Sequence, residues 1–166
     1  MHNNIINTYP SDKKGKYNLL ASQMKSLLQG ETNTIANLAN ASALLNDALD
    51  CINWVGFYLI EKGELVLGPF QGKVACVRIA IGKGVCGTAV EENATQLVVN
   101  VHDFPGHIAC DSASNSELVV PLRHEGEVVG VLDIDSPQIG HFDRMDAEEL
   151  EKIARIIEEA CHWNTK

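Results

Sequence analysis

The chain has 166 residues, 45% of them hydrophobic and 21% charged, which fits a single domain with a real core. A formal net charge of -9 argues against binding nucleic acid or an anionic membrane through a basic patch. No run approaches the ~20 apolar residues of a membrane span, and Met1-His2-Asn3-Asn4-Ile5-Ile6-Asn7 lacks the charged and apolar regions of a signal peptide, so the expected compartment is cytoplasmic.

Residues 1–15 are polar, carry Pro10 and Gly15, and are expected to form an N-terminal arm, with 16–166 as a single domain. The short Lys13-Lys14-Gly15-Lys16 cluster reads as a solvated lead into a first helix. That helix is expected over 17–29, where Leu19, Leu20, Met24, Leu27 and Leu28 recur near helical spacing and Gly30 is a plausible stop. A second helix fits 34–50, capped by Thr32 or Asn33, with Ile35, Leu38, Ala39, Ser42, Leu45 and Leu49 as its apolar stripe. Strands are expected over 54–60 and 64–70, turning at Lys62-Gly63, and a third over 75–80. Gly82, Gly84 and Gly87 mark a tight lead into a short helix ending at Glu92, followed by a short strand over 97–99. Residues 100–116 form a polar loop long enough to suggest function. A second hairpin pairs 117–123 with 127–135 across Glu125-Gly126, and a helix over 143–161 turns Leu150, Ile153, Ile156 and Ile157 inward. Hairpins dominate, so the expected fold is α+β. A mainly antiparallel sheet of about six strands would carry the N- and C-terminal helices on one face and a ligand pocket on the other, under the long loop.

In Leu132-Asp133-Ile134-Asp135, strand alternation sends the two apolar residues one way and the two carboxylates the other. Acids so placed repel each other, so one should hold its proton above the usual range. A strand end meeting solvent is the equal alternative. Glu117 opens the neighbouring strand and joins the acids if the register allows it.

Five cysteines, an odd number with no Cys-x-x-Cys pair, fit neither disulfide stapling nor a structural zinc site. Cys86 sits at a predicted helix start, where unpaired N–H groups favour a thiolate, so on residue chemistry alone it ranks first among the thiols. Cys76 falls in the expected third strand and Cys110 in the long loop beside Asp111. Cys51 and Cys161 read as packing residues. His102, Asp103, His107 and Cys110 cluster in the loop, but match no standard metal spacing and show no oxyanion hole for a cysteine–histidine hydrolase.

Trp54-Val55-Gly56-Phe57-Tyr58, Gly82-Lys83-Gly84-Val85-Cys86-Gly87, and the stretch from Gly126 to Asp135 with Ser136-Pro137 together resemble the GAF domain. With Cys76, Cys86 and Cys110 added to Asp133 and Asp135, the chain resembles more narrowly the free methionine-(R)-sulfoxide reductases, from about Tyr17 to the last helix. The resemblance implies a thiol reductase acting on free methionine (R)-sulfoxide without metal or organic cofactor. It implies Cys110 as attacking thiol, Cys76 as resolving thiol and Cys86 in a supporting role. Glu117, Asp133, Asp135, Trp54 and Tyr58 are the implied substrate-binding residues. Thioredoxin is the implied reductant, and a homodimer paired through terminal helices is left open. The rival expectations are a small-molecule sensor and a redox switch without turnover.

Overall fold

The computed structural model describes residues 8–108 and 110–163; residues 1–7 of the expected arm lie outside the described residues. Helices α1 (Lys13–Leu28), α2 (Thr34–Ala48), α3 (Gly84–Glu92) and α4 (Arg144–Ala160) surround strands β1 (Trp54–Glu61), β2 (Glu64–Gly72), β3 (Arg78–Ala80), β4 (Gln96–Val98), β5 (Ser116–His124) and β6 (Glu127–Ser136). The six strands form one sheet in the order β3-β2-β1-β6-β5-β4, with every neighbouring pair antiparallel.

Helix α1 begins four residues earlier than the apolar spacing indicates. The Asp12 side chain accepts from the Gly15 amide and caps it, so the lysine cluster forms its first turn. Lys13 reaches Asp143 and Asp146 at 2.8 and 2.9 Å, Lys14 pairs with Glu149, and Lys16 lies 2.6 Å from Asp50. These residues therefore tie α1 to α4 and to the end of α2, rather than forming a merely solvated lead. The stripe of α2 is also rotated from the expected one: Ile35 and Ala39 face solvent, while Asn37, Leu38, Ala41, Ser42, Leu44, Leu45 and Ala48 are buried. Asn37 earns its inward place by donating to the backbone carbonyls of Glu31 (2.8 Å) and Ala160 (3.1 Å). Helix α4 opens with a reciprocal capping box between Asp143 and Asp146 and buries Leu150, Ile153 and Ile157, with Ile156 half-buried against the same core.

The sheet separates two environments. Val55, Phe57, Leu118, Val120, Leu122, Leu132 and Ile134 point into the apolar core under α1, α2 and α4. The alternate residues point to the other face, where Trp54, Tyr58, Val119 and Val131 meet Val85, Cys86, Ala89 and Val90 of α3. Among the described residues no helix is long and apolar enough to cross a membrane.

Gly56 lies between the paired positions that build the second face. A Cβ there would stand 2.2 Å from Phe70 Cβ and 2.7 Å from Phe70 Cα, so β1 and β2 close to this spacing only over a bare backbone. Gly56→Ala is expected to destabilise the fold by about 1–3 kcal/mol through overpacking, read as a lower denaturant midpoint at unchanged m-value. A variant as stable as the parent would refute this account of the β1–β2 contact.

Candidate active site

Register decides the site. Asp135 on β6 is flanked by Trp54 on β1 and Glu117 on β5, and Asp133 by Gly56 and Val119. Both aspartates thus leave the sheet on the face opposite Leu132 and Ile134, as alternation requires, and Glu117 joins them. They do not meet bulk solvent: Glu117 is 7% and Asp133 6% exposed.

These three acids form the floor of a cavity of about 540 Å³, counted to its open mouth. Trp54 and Tyr58 wall one side, Ile79, Gly84, Val85 and Cys86 another, and Val74, His107, Ile108 and Cys110 lie toward the loop side. Trp54 stacks on Tyr58 and Phe70 at centroid distances of 5.9 and 5.1 Å. Its indole N–H donates to the Lys73 carbonyl at 3.1 Å. The Tyr58 hydroxyl donates to the Cys76 carbonyl at 2.9 Å. The aromatics therefore also anchor the 73–77 segment that carries Cys76.

Cys76 is not in a strand. The third strand is limited to Arg78–Ala80, which pairs with Glu64–Val66 at the start of β2, and residues 74–76 precede it as irregular chain. Freed from the ladder, Cys76 meets the long loop and forms a disulfide with Cys110, with Cα atoms 5.6 Å apart. The other cysteines are free. Cys161 is buried in the helical core as expected, but Cys51 is exposed, at φ 53° in the turn between α2 and β1, so its reading as a packing residue is corrected.

Burial sets the electrostatics. The Asp133 carboxyl is raised to about 6 by loss of solvent. Glu117 and Asp135 are raised well above the usual carboxylate range by burial first and by repulsion from Asp133 next. Cys86 is the third residue of α3, yet its thiol is pushed well up, by burial and then by Asp133 and Glu117. The sequence reading of Cys86 as the favoured thiolate is overturned. A partial positive charge at a helix start is outweighed by a dry site facing carboxylates, with Sγ 3.9 Å from Glu117 Oε1. Oδ1 of Asp133 and Oδ1 of Asp135 are buried with no hydrogen-bond partner among the described residues. Bare acceptors at the base of a cavity suit a ligand rich in N–H donors.

Among its described residues, loop 100–115 contains one 3₁₀ turn, Val101–Asp103. Its return to β5 is held by the Asn115 amide donating to the Ser136 carbonyl (2.8 Å) and the Asn115 side-chain amide donating to the Pro137 carbonyl (2.8 Å). Sequence reasoning missed Asn53. Its side-chain amide donates to Asp111 Oδ2 (3.1 Å) and Ser114 Oγ (3.0 Å), while its backbone N–H donates to the Asp135 carbonyl (2.9 Å). Asn53 thereby links the segment after Cys110 to the acidic strand. Asp111 is held below the usual carboxylate range, first by the Ala113 amide, and stays ionised beside the disulfide. His107, lowered by partial burial, lines the cavity, as does Ser114, which sequence reasoning missed. The available signal for Asn53 was a polar residue placed immediately before an otherwise apolar strand. His102, Asp103, His107 and Cys110 are not gathered into one ligand set: the two imidazole rings stand 6.4 Å apart edge to face, and His102 instead contacts Asn115 Oδ1 at 3.0 Å.

The chain matches the family model described as the GAF domain over residues 38–162. It is 56% identical over 133 residues to the free methionine-R-sulfoxide reductase of Escherichia coli (strain K12), covering 80% of this chain and 81% of that protein. The fRMsr of Staphylococcus aureus, solved in complex with substrate, superposes with a TM-score of 0.85 at 56% identity, covering 92% of this chain and 98% of that one. The free methionine-R-sulfoxide reductase of Neisseria meningitidis, also solved with its substrate, gives a TM-score of 0.89 at 46% identity, over 92% and 93% of the two chains.

Two outcomes follow from the geometry. Because the folded state raises the Asp133 pKa to about 6, it binds a proton that the unfolded chain releases near pH ~4. The associated stability is complete below that pH and is lost as pH rises through about 6. Asp133→Asn is therefore expected to raise Tm over the parent by about 5 °C at pH 7.5 and by little at pH 4. A gain that does not grow with pH would refute the assignment. Asn53→Ala is expected to speed amide exchange at residues 113 and 114 by about tenfold, the loss of a net hydrogen bond or two. Unchanged exchange would mean that the loop is held elsewhere.

Proposed function

The chain belongs to the GAF domain family and stands with the free methionine-R-sulfoxide reductases in it, and from that membership we propose the roles of its residues in reducing free methionine (R)-sulfoxide. The protein is an oxidoreductase of that class. The observation that carries the residue assignment is the Cys76–Cys110 disulfide over a cavity whose floor holds Glu117, Asp133 and Asp135.

The reactive state has both thiols reduced. The substrate ammonium is received by the bare oxygens of Asp133 and Asp135, and a peptide-bonded methionine sulfoxide has no such ammonium to offer. Trp54 and Tyr58 take the methyl end. A sulfoxide sulfur accepts a thiolate only when its oxygen is protonated. A carboxyl group raised by burial, with Glu117 the most enclosed by other acids, carries that proton at neutral pH. The Cys110 thiolate attacks sulfur, the oxygen ends on Cys110 as a sulfenic acid, and methionine leaves two electrons richer. The Cys76 thiol then attacks the sulfenic sulfur and expels water, giving the observed disulfide. A protein dithiol, which we take to be thioredoxin, returns two electrons and two protons by thiol–disulfide exchange. Cys86, buried and held protonated, supports the wall of the pocket and stays outside the exchange.

No organic cofactor or metal enters this cycle. We further take the compartment to be cytoplasmic, where thiols are kept reduced, and residues 16–166 to act as one unit whose first helix reaches back into the 1–15 arm. A homodimer paired through the terminal helices is compatible with a cavity that opens on the other face of the sheet.

The test is turnover of free methionine (R)-sulfoxide with dithiothreitol or thioredoxin, following methionine produced. Cys110→Ser is expected to abolish turnover, lowering kcat at least 10³-fold. Cys76→Ser should retain a single turnover and accumulate the sulfenic acid. Cys86→Ser should keep most of its activity, and peptide-bound sulfoxide should be a poor substrate. Turnover by Cys110→Ser would move the nucleophile elsewhere. A disulfide that forms without yielding methionine would leave a redox switch as the better description.

A further inference from the structure

The cavity floor also contains a donor set that joins two acids of the reductive cycle to a thiol, Cys86, that the cycle does not use. Cys86 from α3, Glu117 from β5 and Asp133 from β6 each present one ligand atom within 4.8 Å of the other two, and all three residues are buried. Cys86 Sγ and Glu117 Oε1 are already 3.9 Å apart. Three separate elements deliver them. Gly87, beside Cys86, permits the α3 approach, since a Cβ there would stand 2.4 Å from the Ala80 carbonyl oxygen. A second observation points to a guest with positive charge. Asp133, 6% exposed and lining the cavity, has Oδ1 unpartnered among the described residues, and the Oδ1 of half-buried Asp135 beside it is likewise unpartnered. A buried acceptor left bare is costly, and a cation satisfies it.

We propose that Cys86, Glu117 and Asp133 form a binding site for a thiophilic divalent cation, Zn²⁺ being the fitting ion. Mg²⁺ and Ca²⁺ require six or more oxygen ligands in an open shell, which a sulfur and two carboxylates do not supply. Zn²⁺ takes sulfur at about 2.3 Å and oxygen at about 2.0–2.2 Å, so tetrahedral ligands stand about 3.4–3.6 Å apart. Rotamer adjustments of less than about 1.5 Å close the present set onto such an ion. Asp135 is placed to supply a fourth oxygen or to orient Asp133. Binding releases the thiol proton and any carboxyl protons to solvent and moves no electrons. The ion and the substrate ammonium call on the same acids, so the loaded cavity excludes substrate. The site works with Cys76 and Cys110 joined, since neither is a ligand.

The probe is Cd²⁺, titrated into the disulfide form of Cys51→Ser, which removes the exposed thiol as a competing ligand. The expected result is a thiolate-to-cadmium charge-transfer band saturating at one equivalent, reversed by Zn²⁺ and untouched by Mg²⁺. Cys86→Ser in that background should lose the band. Glu117→Gln, which keeps the thiol, should weaken Cd²⁺ binding on the order of tenfold or more. Near-ultraviolet circular dichroism of the cation-free variants verifies that they fold, and if Cys86→Ser does not, Glu117→Gln decides. Absence of the band in the Cys51→Ser parent, its survival in Cys86→Ser, or indifference to Glu117→Gln would each overturn the site. The titration uses neither substrate nor turnover, so its failure is separate from any failure of the reductase assay.

Discussion

Three carboxylates held out of water across neighbouring strands govern this molecule. β1, β6 and β5 pair in a register that puts Trp54, Asp135 and Glu117 in one row and Gly56, Asp133 and Val119 in the next. Loss of hydration raises all three acids above their ordinary range. The same burial favours the protonated carboxyls, leaves Oδ1 of Asp133 and Asp135 without partners among the described residues, and pushes the neighbouring Cys86 thiol upward. The same cause acts on the Cys86 thiol as well as on the acids. The thiol on the cavity floor is quenched, while the pair near its mouth is joined as a disulfide.

Such a floor is a destabilising feature, and the fold accommodates it by division of labour. The apolar alternation of β1, β5 and β6 is spent on the helical side, where Leu118, Leu122, Leu132 and Ile134 are fully enclosed by α1, α2 and α4. Ion pairs from the α1 lysines to α4 add cross-links at the surface, each of modest worth. The pocket side is closed by the smaller cluster around α3, into which Val101 and Phe104 pack, and by loop 100–115, which Asn115 ties to Ser136 and Pro137, Asn53 holds at Asp111 and Ser114, and the disulfide joins at Cys110. A loop held largely by hydrogen bonds outside the helical core can release Cys110 from Cys76 without disturbing that core. Asn53 binds the same loop to the acidic strand, so the segment after Cys110 and the end of β6 are tied from one place in the chain.

Much of this was legible in the residues. Alternation in Leu132-Asp133-Ile134-Asp135 separates core from cavity because a strand's side chains have a period of two. Hairpin turns at Lys62-Gly63 and Glu125-Gly126 carry the positive φ angles that such turns need. The family pattern supplied the pairing of Cys76 with Cys110, which spacing alone does not contain. Local signals misled where two of them competed. A helix start marked Cys86 as reactive, but the acids that oppose this lie 31 and more residues away in sequence. Apolar residues at Ile35 and Ala39 suggested a face for α2 that tertiary packing turned to solvent, because Asn37 finds backbone partners inside.

By itself, then, the sequence determined the order of elements, the two-faced character of the central strands and the set of residues able to do thiol and acid chemistry, since these follow from periodicity and side-chain type. Only the tertiary structure decided that Glu117 stands beside Asp135, that Cys76 leaves the sheet edge to meet Cys110, that Cys51 is exposed, and that Asn53 holds the loop. Register, burial and long-range contact are properties of chain segments brought together from afar, and the energies that set them, desolvation above all, do not exist until the segments meet.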